Sequence, residues 1–112
     1  MVINSGFQPA FKVWFEKGGS VFGEGLYDLL VGIDKSGSIS GAASEMGMSY
    51  RSAWGKIRVA EKRWGIRLVT ATVGGDAGGG STLTGEARQL LERFRQLRDQ
   101  TEQSVSNWYK RL

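Results

Sequence analysis

Gly47 stands between two short runs of helix-forming residues, and that arrangement constrains this chain more than any other. A glycine there can adopt positive φ without steric cost, whereas a side chain would strain a tight corner. Ser38 to Trp54 therefore reads as two short helices joined by a glycine turn, the order of a helix-turn-helix. Ser40 is expected to cap the first, which runs through Met46, and Ser49 to cap the second. The second helix is expected over Tyr50 to Trp64, ended by Gly65. At about 100° per residue, its Ala53, Ile57, Ala60 and Trp64 share one face, with Trp54 at the edge. Arg51, Gly55, Arg58, Val59 and Lys62 lie opposite, beside Ser52 and Arg63. In such a motif the first turn of the second helix presents its side chains to base edges, which points to double-stranded DNA as partner.

The charge distribution agrees. Residues 1 to 49 sum to −2, residues 50 to 67 to +5, and the remainder to +1, for a net +4. Net charge alone bears on solubility and nonspecific binding, and a charged helix is often only a solvated face. Concentrated on the second helix of a helix-turn-helix, it supports a polyanionic partner. Cysteine and histidine are both absent, which excludes disulfides, thiolate metal sites and the commonest general base. No metal, cofactor or catalytic residue is therefore expected. No apolar run reaches the roughly 20 residues of a membrane span, and no signal-peptide plan opens the chain, so a cytoplasmic protein is the expectation.

Around this motif the chain is organised simply. Phe11 to Glu16 alternates and is rich in aromatics, a strand pattern that ends at Gly18-Gly19. Leu26, Leu29, Leu30 and Ile33 fall at helical spacing in a first helix over Leu26 to Lys35, stopped by Ser36-Gly37. Ala42 and Ala43 are small enough to let another helix cross closely. Leu68 to Val73 is a β-branched run, residues 74 to 80 are glycine-rich, and Ser81 to Leu83 can pair back: a wing. Thr84 caps a long helix that can continue almost to Lys110, with Glu86 matched to its macrodipole. At 1.5 Å per residue that helix is roughly 40 Å long. It outruns a small domain, so Leu90, Leu91, Phe94, Leu97, Val105 and Trp108 are expected to pack on a second copy. The fold expected is mainly α with small β elements, one winged helix-turn-helix domain over residues 1 to 112. Within it the helix-turn-helix covers about 38–64, the wing about 68–83 and the dimerisation helix about 84–110.

Gly37-Ser38-Ile39-Ser40-Gly41-Ala42-Ala43, Met48-Ser49-Tyr50-Arg51-Ser52-Ala53-Trp54, the glycine-rich Gly74 to Gly80, and Leu83-Thr84 together resemble the N-terminal DNA-binding domain of the molybdate-responsive ModE family, related to LysR-type winged helices. The resemblance covers nearly the whole chain. It implies a homodimer that reads an inverted repeat through paired helices in successive major grooves. Two departures stand out. Thr70-Ala71 replaces an acidic-basic pair usual in the family, and Asp76 stands where a lysine is common. A carboxylate beside a phosphate backbone repels it, which shifts the expected affinity from wing to helix. Nothing after Leu112 corresponds to the family's molybdate-binding domains, so molybdate sensing does not carry over.

Arg51 is the candidate base reader, since its guanidinium can contact a guanine in bidentate fashion. Ser49 and Ser52 are candidates for base or phosphate contact. Tyr50 can pack on a thymine methyl or bind phosphate, and Lys56, Arg58 and Lys62 suit phosphates along the groove. Gly75, Gly78 and Gly79 would bring the wing backbone close to phosphate. Ser49 nevertheless caps its helix with or without DNA, Tyr50 can simply pack, and the glycines also suit a bare hairpin loop. Gly55, in mid-helix, costs about 1 kcal/mol there, which fits either close approach to something or simple tolerance.

Two rival functions remain open at this point. The segment Gly75 to Thr82 has the outer spacing of a phosphate-binding loop, but Ser81 stands where the lysine is needed. The stronger rival is a protein-interaction module on a winged-helix scaffold with weak or no DNA binding, docking partners through the long helix and the aromatic N-terminus. The signal obeyed is not encoded in any recognisable pocket. A separate effector-sensing protein, constitutive binding, or docking through the long helix would each serve.

Overall fold

The computed structural model describes residues 6–72 and 80–111. In order it contains β1 (Phe15–Lys17), β2 (Ser20–Phe22), α1 (Glu24–Ser36), α2 (Ile39–Glu45), α3 (Tyr50–Trp64), β3 (Val69–Thr72), β4 (Gly80–Leu83) and α4 (Gly85–Lys110). Two antiparallel hairpins, β1-β2 and β3-β4, are set among the four helices.

The first strand is shorter than the alternation suggests, and it has a partner that the alternation does not announce. Only Phe15–Lys17 pairs, with Phe15 opposite Phe22 and Lys17 opposite Ser20. Gly18 and Gly19 close the hairpin with φ of 58° and 79°, the double positive φ that favours glycine in a tight two-residue turn. Residues 6–14 form an arm outside any strand. The Tyr109 hydroxyl donates to the Phe7 carbonyl at 2.8 Å, while Phe15 packs edge-on against Phe94 with centroids 6.0 Å apart. The arm therefore runs antiparallel to the far half of α4. Its eight residue steps at about 3.3 Å span roughly the same length as fifteen helical steps at about 1.5 Å.

Helix α1 begins at Glu24, before Leu26, and ends at Gly37 in the left-handed region, φ 78°. Helix α2 corrects one expectation: Ser38, not Ser40, is its N-cap. The Ser38 hydroxyl accepts the Gly41 N–H at 2.9 Å. The glycine matters here, because a Cβ on Gly41 would stand 3.0 Å from the Ser38 hydroxyl oxygen and 2.9 Å from the Ser36 Cβ. The close crossing expected of the alanines is present. A Cβ at Gly32 of α1 would meet the Cβ of Ala42 at 3.0 Å.

Helix α3 has the limits and faces read from its sequence. Ser49 accepts the Ser52 N–H at 3.1 Å, Gly65 closes the helix at φ 68°, and Ala53, Ile57, Ala60 and Trp64 are buried. Strand β3 pairs with β4 from Val69 opposite Leu83 to Thr72 opposite Gly80. The base of the wing is closed by Thr84 N–H to the Leu68 carbonyl at 3.0 Å, and β4 is tied to the end of α1 by Ser81 N–H to the Gly37 carbonyl at 2.8 Å. Thr84 caps α4 by accepting from Ala87 N–H at 3.1 Å, and its hydroxyl donates to the Arg67 carbonyl at 2.6 Å. One core gathers Phe22, Leu29, Leu30, Ile33, Ile57, Leu68 and Phe94. Its aromatic centre is Phe94, against Phe22 at 5.5 Å and Tyr27 at 4.9 Å between centroids.

Candidate nucleic-acid interface

The outward side of α3 is fixed by what it buries. With Ala53, Ile57, Ala60 and Trp64 in the core, Arg51, Ser52, Lys56, Arg58, Val59, Lys62 and Arg63 are all exposed. Tyr50, in the first turn, is also exposed, and Ser49 is exposed while it caps. The helix-turn-helix thus brings Ser49, Tyr50, Arg51, Ser52, Lys56, Arg58 and Lys62 onto one helix with their polar ends free of the core. Gly75, Gly78, Gly79 and Asp76 lie outside the described residues.

Arg58 is held differently from its basic neighbours. Its Nη1 lies 3.2 Å from Glu61 Oε1, and its guanidinium sits 5.2 Å from the Trp54 ring centroid. Both contacts draw the side chain toward the wing, where Trp54, Arg58 and Glu61 share a cleft with Val69, Ala71 and Ser81.

Glu61 is the residue that sequence reasoning missed. It is the one acid in the otherwise basic and apolar sequence of α3, yet it is 7% exposed. Its Oε2 accepts the Leu68 N–H at 2.7 Å and the Val69 N–H at 3.2 Å, and Arg67 Nε lies 3.6 Å away. Burial alone would raise its pKa. The two backbone N–H groups, Arg58 and Arg67 outweigh that and hold it below the ordinary carboxylate value. The signal available beforehand was a carboxylate on the edge of an otherwise apolar face, a few residues before the wing.

Along α4 the six expected interface residues divide. Phe94 is fully buried in the chain's own core, so it has no surface to offer a second copy. The physical reason is the hairpin β1-β2, whose Phe15 and Phe22 close over it. Leu90 and Leu91 are half-buried against the same core, Leu97 and Val105 are half-buried, and Trp108 is exposed. At about 100° per residue, Leu90, Leu97 and Trp108 fall on one line rotated roughly 50° from Phe94.

A model of the bacterial regulatory helix-turn-helix proteins of the LysR family matches residues 26–88, from α1 into α4. The chain belongs to that family. Its members are DNA-binding regulators of transcription rather than enzymes. Over 100 residues it is 34% identical to the molybdenum-pterin-binding protein MopB of Rhodobacter capsulatus, covering 89% of this chain and 37% of that protein. Over 66 residues it is 39% identical to the DNA-binding transcriptional dual regulator ModE of Escherichia coli K12, covering 59% of this chain and 25% of ModE. The chain thus spans well under half the length of these relatives. In fold it is similar to the CbnR DNA-binding domain solved in complex with DNA, with TM-score 0.56 and 16% identity over 76% of this chain and 92% of that one. It is also similar to the regulator LysG of Corynebacterium glutamicum, solved with bound effector arginine, with TM-score 0.56 and 20% identity over 78% of this chain and 29% of LysG. Among the described residues no helix is long and apolar enough to cross a membrane.

Proposed function

We propose that residues 1 to 112 act as one winged helix-turn-helix domain that binds operator DNA as a homodimer, each copy placing α3 in the major groove of one half of an inverted repeat. The observation that carries this reading is the outward face of α3. Arg51, Lys56 and Lys62 stand exposed on a helix whose opposite face is locked into the core. Arg51, in the first turn, reads a base edge, and Lys56 and Lys62 contact phosphates. Ser49, Tyr50 and Ser52 assist from the same turn, and the wing backbone at Gly75, Gly78 and Gly79 approaches phosphate. The second copy packs on the line Leu90, Leu97 and Trp108 of α4. ModE of Escherichia coli K12, 39% identical over 66 residues, is named as a DNA-binding regulator, which supports DNA as the partner.

Selection of bound sequences from a random duplex pool, followed by sedimentation of the complex, tests the whole reading. A recovered inverted repeat bound by two copies is the expected result. Recovery of no preferred sequence, or binding independent of salt, would overturn it.

A further inference from the structure

The two sides of α3 are flanked by different elements. On one side Trp54, Arg58 and Glu61 face the wing strands. On the other, Ser52, Lys56 and Val59 face the N-terminal arm and β1-β2 hairpin across a cleft of about 840 Å³, walled by Lys12, Trp14 and Val21. We propose that this cleft seats the phosphodiester strand on the side of α3 away from the wing, with Lys12 as a phosphate contact. The inference rests on the DNA-binding reading above.

The geometry of the duplex motivates it. A major groove about 12 Å wide is filled by one helix of about 10–12 Å diameter, so the protein surfaces on either side of that helix meet the two backbones that bound the groove. The wing is one such surface and the arm with its hairpin is the other. The charges suit a polyanion: Lys12 on the arm and Lys56 and Arg51 on α3 all line the cleft. The carboxylate in the wall, Glu24, has Arg98 Nη1 3.5 Å away, which offsets its repulsion of phosphate. The walls also carry exposed apolar surface, with Trp14 46%, Val21 51% and Val59 52% accessible, suited to deoxyribose. The Trp14 indole N–H donates to Glu16 at 3.0 Å. Also lining it is Gly55, where an added Cβ would meet no atom of the other described residues within 4 Å beyond its own helix backbone. Among the described residues nothing requires glycine there, and the space beside it is open.

Titration of the intact protein on its selected operator tests the proposal, comparing wild type with Lys12→Ala, Val21→Glu and, as a control at the far end of α4, Lys110→Ala. Lys12→Ala should leave base preference intact and make the slope of log affinity against log salt shallower by roughly 0.9. Val21→Glu, which sets a carboxylate on the wall, should weaken binding to matched and scrambled duplexes alike through repulsion of phosphate. The control should change neither. An unchanged slope in Lys12→Ala with unchanged affinity in Val21→Glu overturns the cleft assignment while wild-type binding stands, and is the outcome if a peptide or a second copy fills the cleft. Loss of salt-dependent binding in wild type overturns the DNA reading instead.

Discussion

The Glu61 Oε2 atom accepts the Leu68 backbone N–H at 2.7 Å. A single carboxylate in the fourth turn of α3 thereby holds the entry to the wing, with Val69 N–H on the same oxygen and Arg58 on the other.

Replacing Glu61 by Ala leaves two buried N–H groups without their acceptor and should cost about 1–3 kcal/mol of stability, read from urea unfolding. The pH dependence has a defined sign. Because the folded carboxyl has a lowered pKa, its stabilisation is present above the unfolded-state pKa and is lost as pH falls through the folded value. Glu61→Gln should remove that acid-side component, and an acid limb identical to wild type would argue against it.

Arg51, Lys56 and Arg58 should separate in binding titrations. Arg51→Ala is expected to relax preference at one operator position, a loss of about 1–3 kcal/mol against the correct base. Lys56→Ala should weaken all sequences alike and reduce the salt slope by about 1. Arg58→Ala should reduce that slope less, because its guanidinium is shared with Glu61 and Trp54. Equal slopes for the Lys56 and Arg58 variants would show that Arg58 leaves its partners for phosphate.

Gly80→Ala tests the seat of the wing on α1. The new Cβ would stand 2.6 Å from the Gly37 carbonyl oxygen and 2.9 Å from the Thr72 hydroxyl oxygen, and the first of these is backbone. A stability loss of about 1–3 kcal/mol is expected from overpacking, visible as a lower thermal midpoint.

The two kinds of residue along α4 should respond differently. Phe94→Ala, at a fully buried site, should cost about 3–5 kcal/mol of folding stability. Trp108→Glu, at a site 51% exposed, should leave folding nearly unchanged and shift sedimentation from dimer to monomer. A Trp108→Glu protein that sediments as wild type would remove the far end of α4 from the dimer contact.

Much of this molecule was legible before its fold. The limits and faces of α3 follow from Ser49, Gly65 and the spacing of Ala53, Ile57, Ala60 and Trp64. Thr84 likewise announced α4. The β1-β2 hairpin was half legible: Gly18-Gly19 marked the turn, but Ser20–Phe22 is too short a strand to carry an alternation of its own. The shift of the α2 cap from Ser40 to Ser38 reflects two serines in competition, decided by the missing Cβ at Gly41, whose site is crowded by Ser36 and by the Ser38 hydroxyl that accepts its N–H.

The sequence by itself determined what is local, because a cap, a positive φ and a helical period are each set within a few residues of one another. It named the basic face of α3 and the apolar stripe of α4. Only the tertiary structure decided what covers each face. It placed Phe94 in the core and left Trp108 outside, drew Arg58 to Glu61, and laid the arm along α4 so that Phe7 meets Tyr109. Periodicity shows which side chains share a surface, but their neighbours across it come from distant parts of the chain, and those pairings exist only once it has closed on itself.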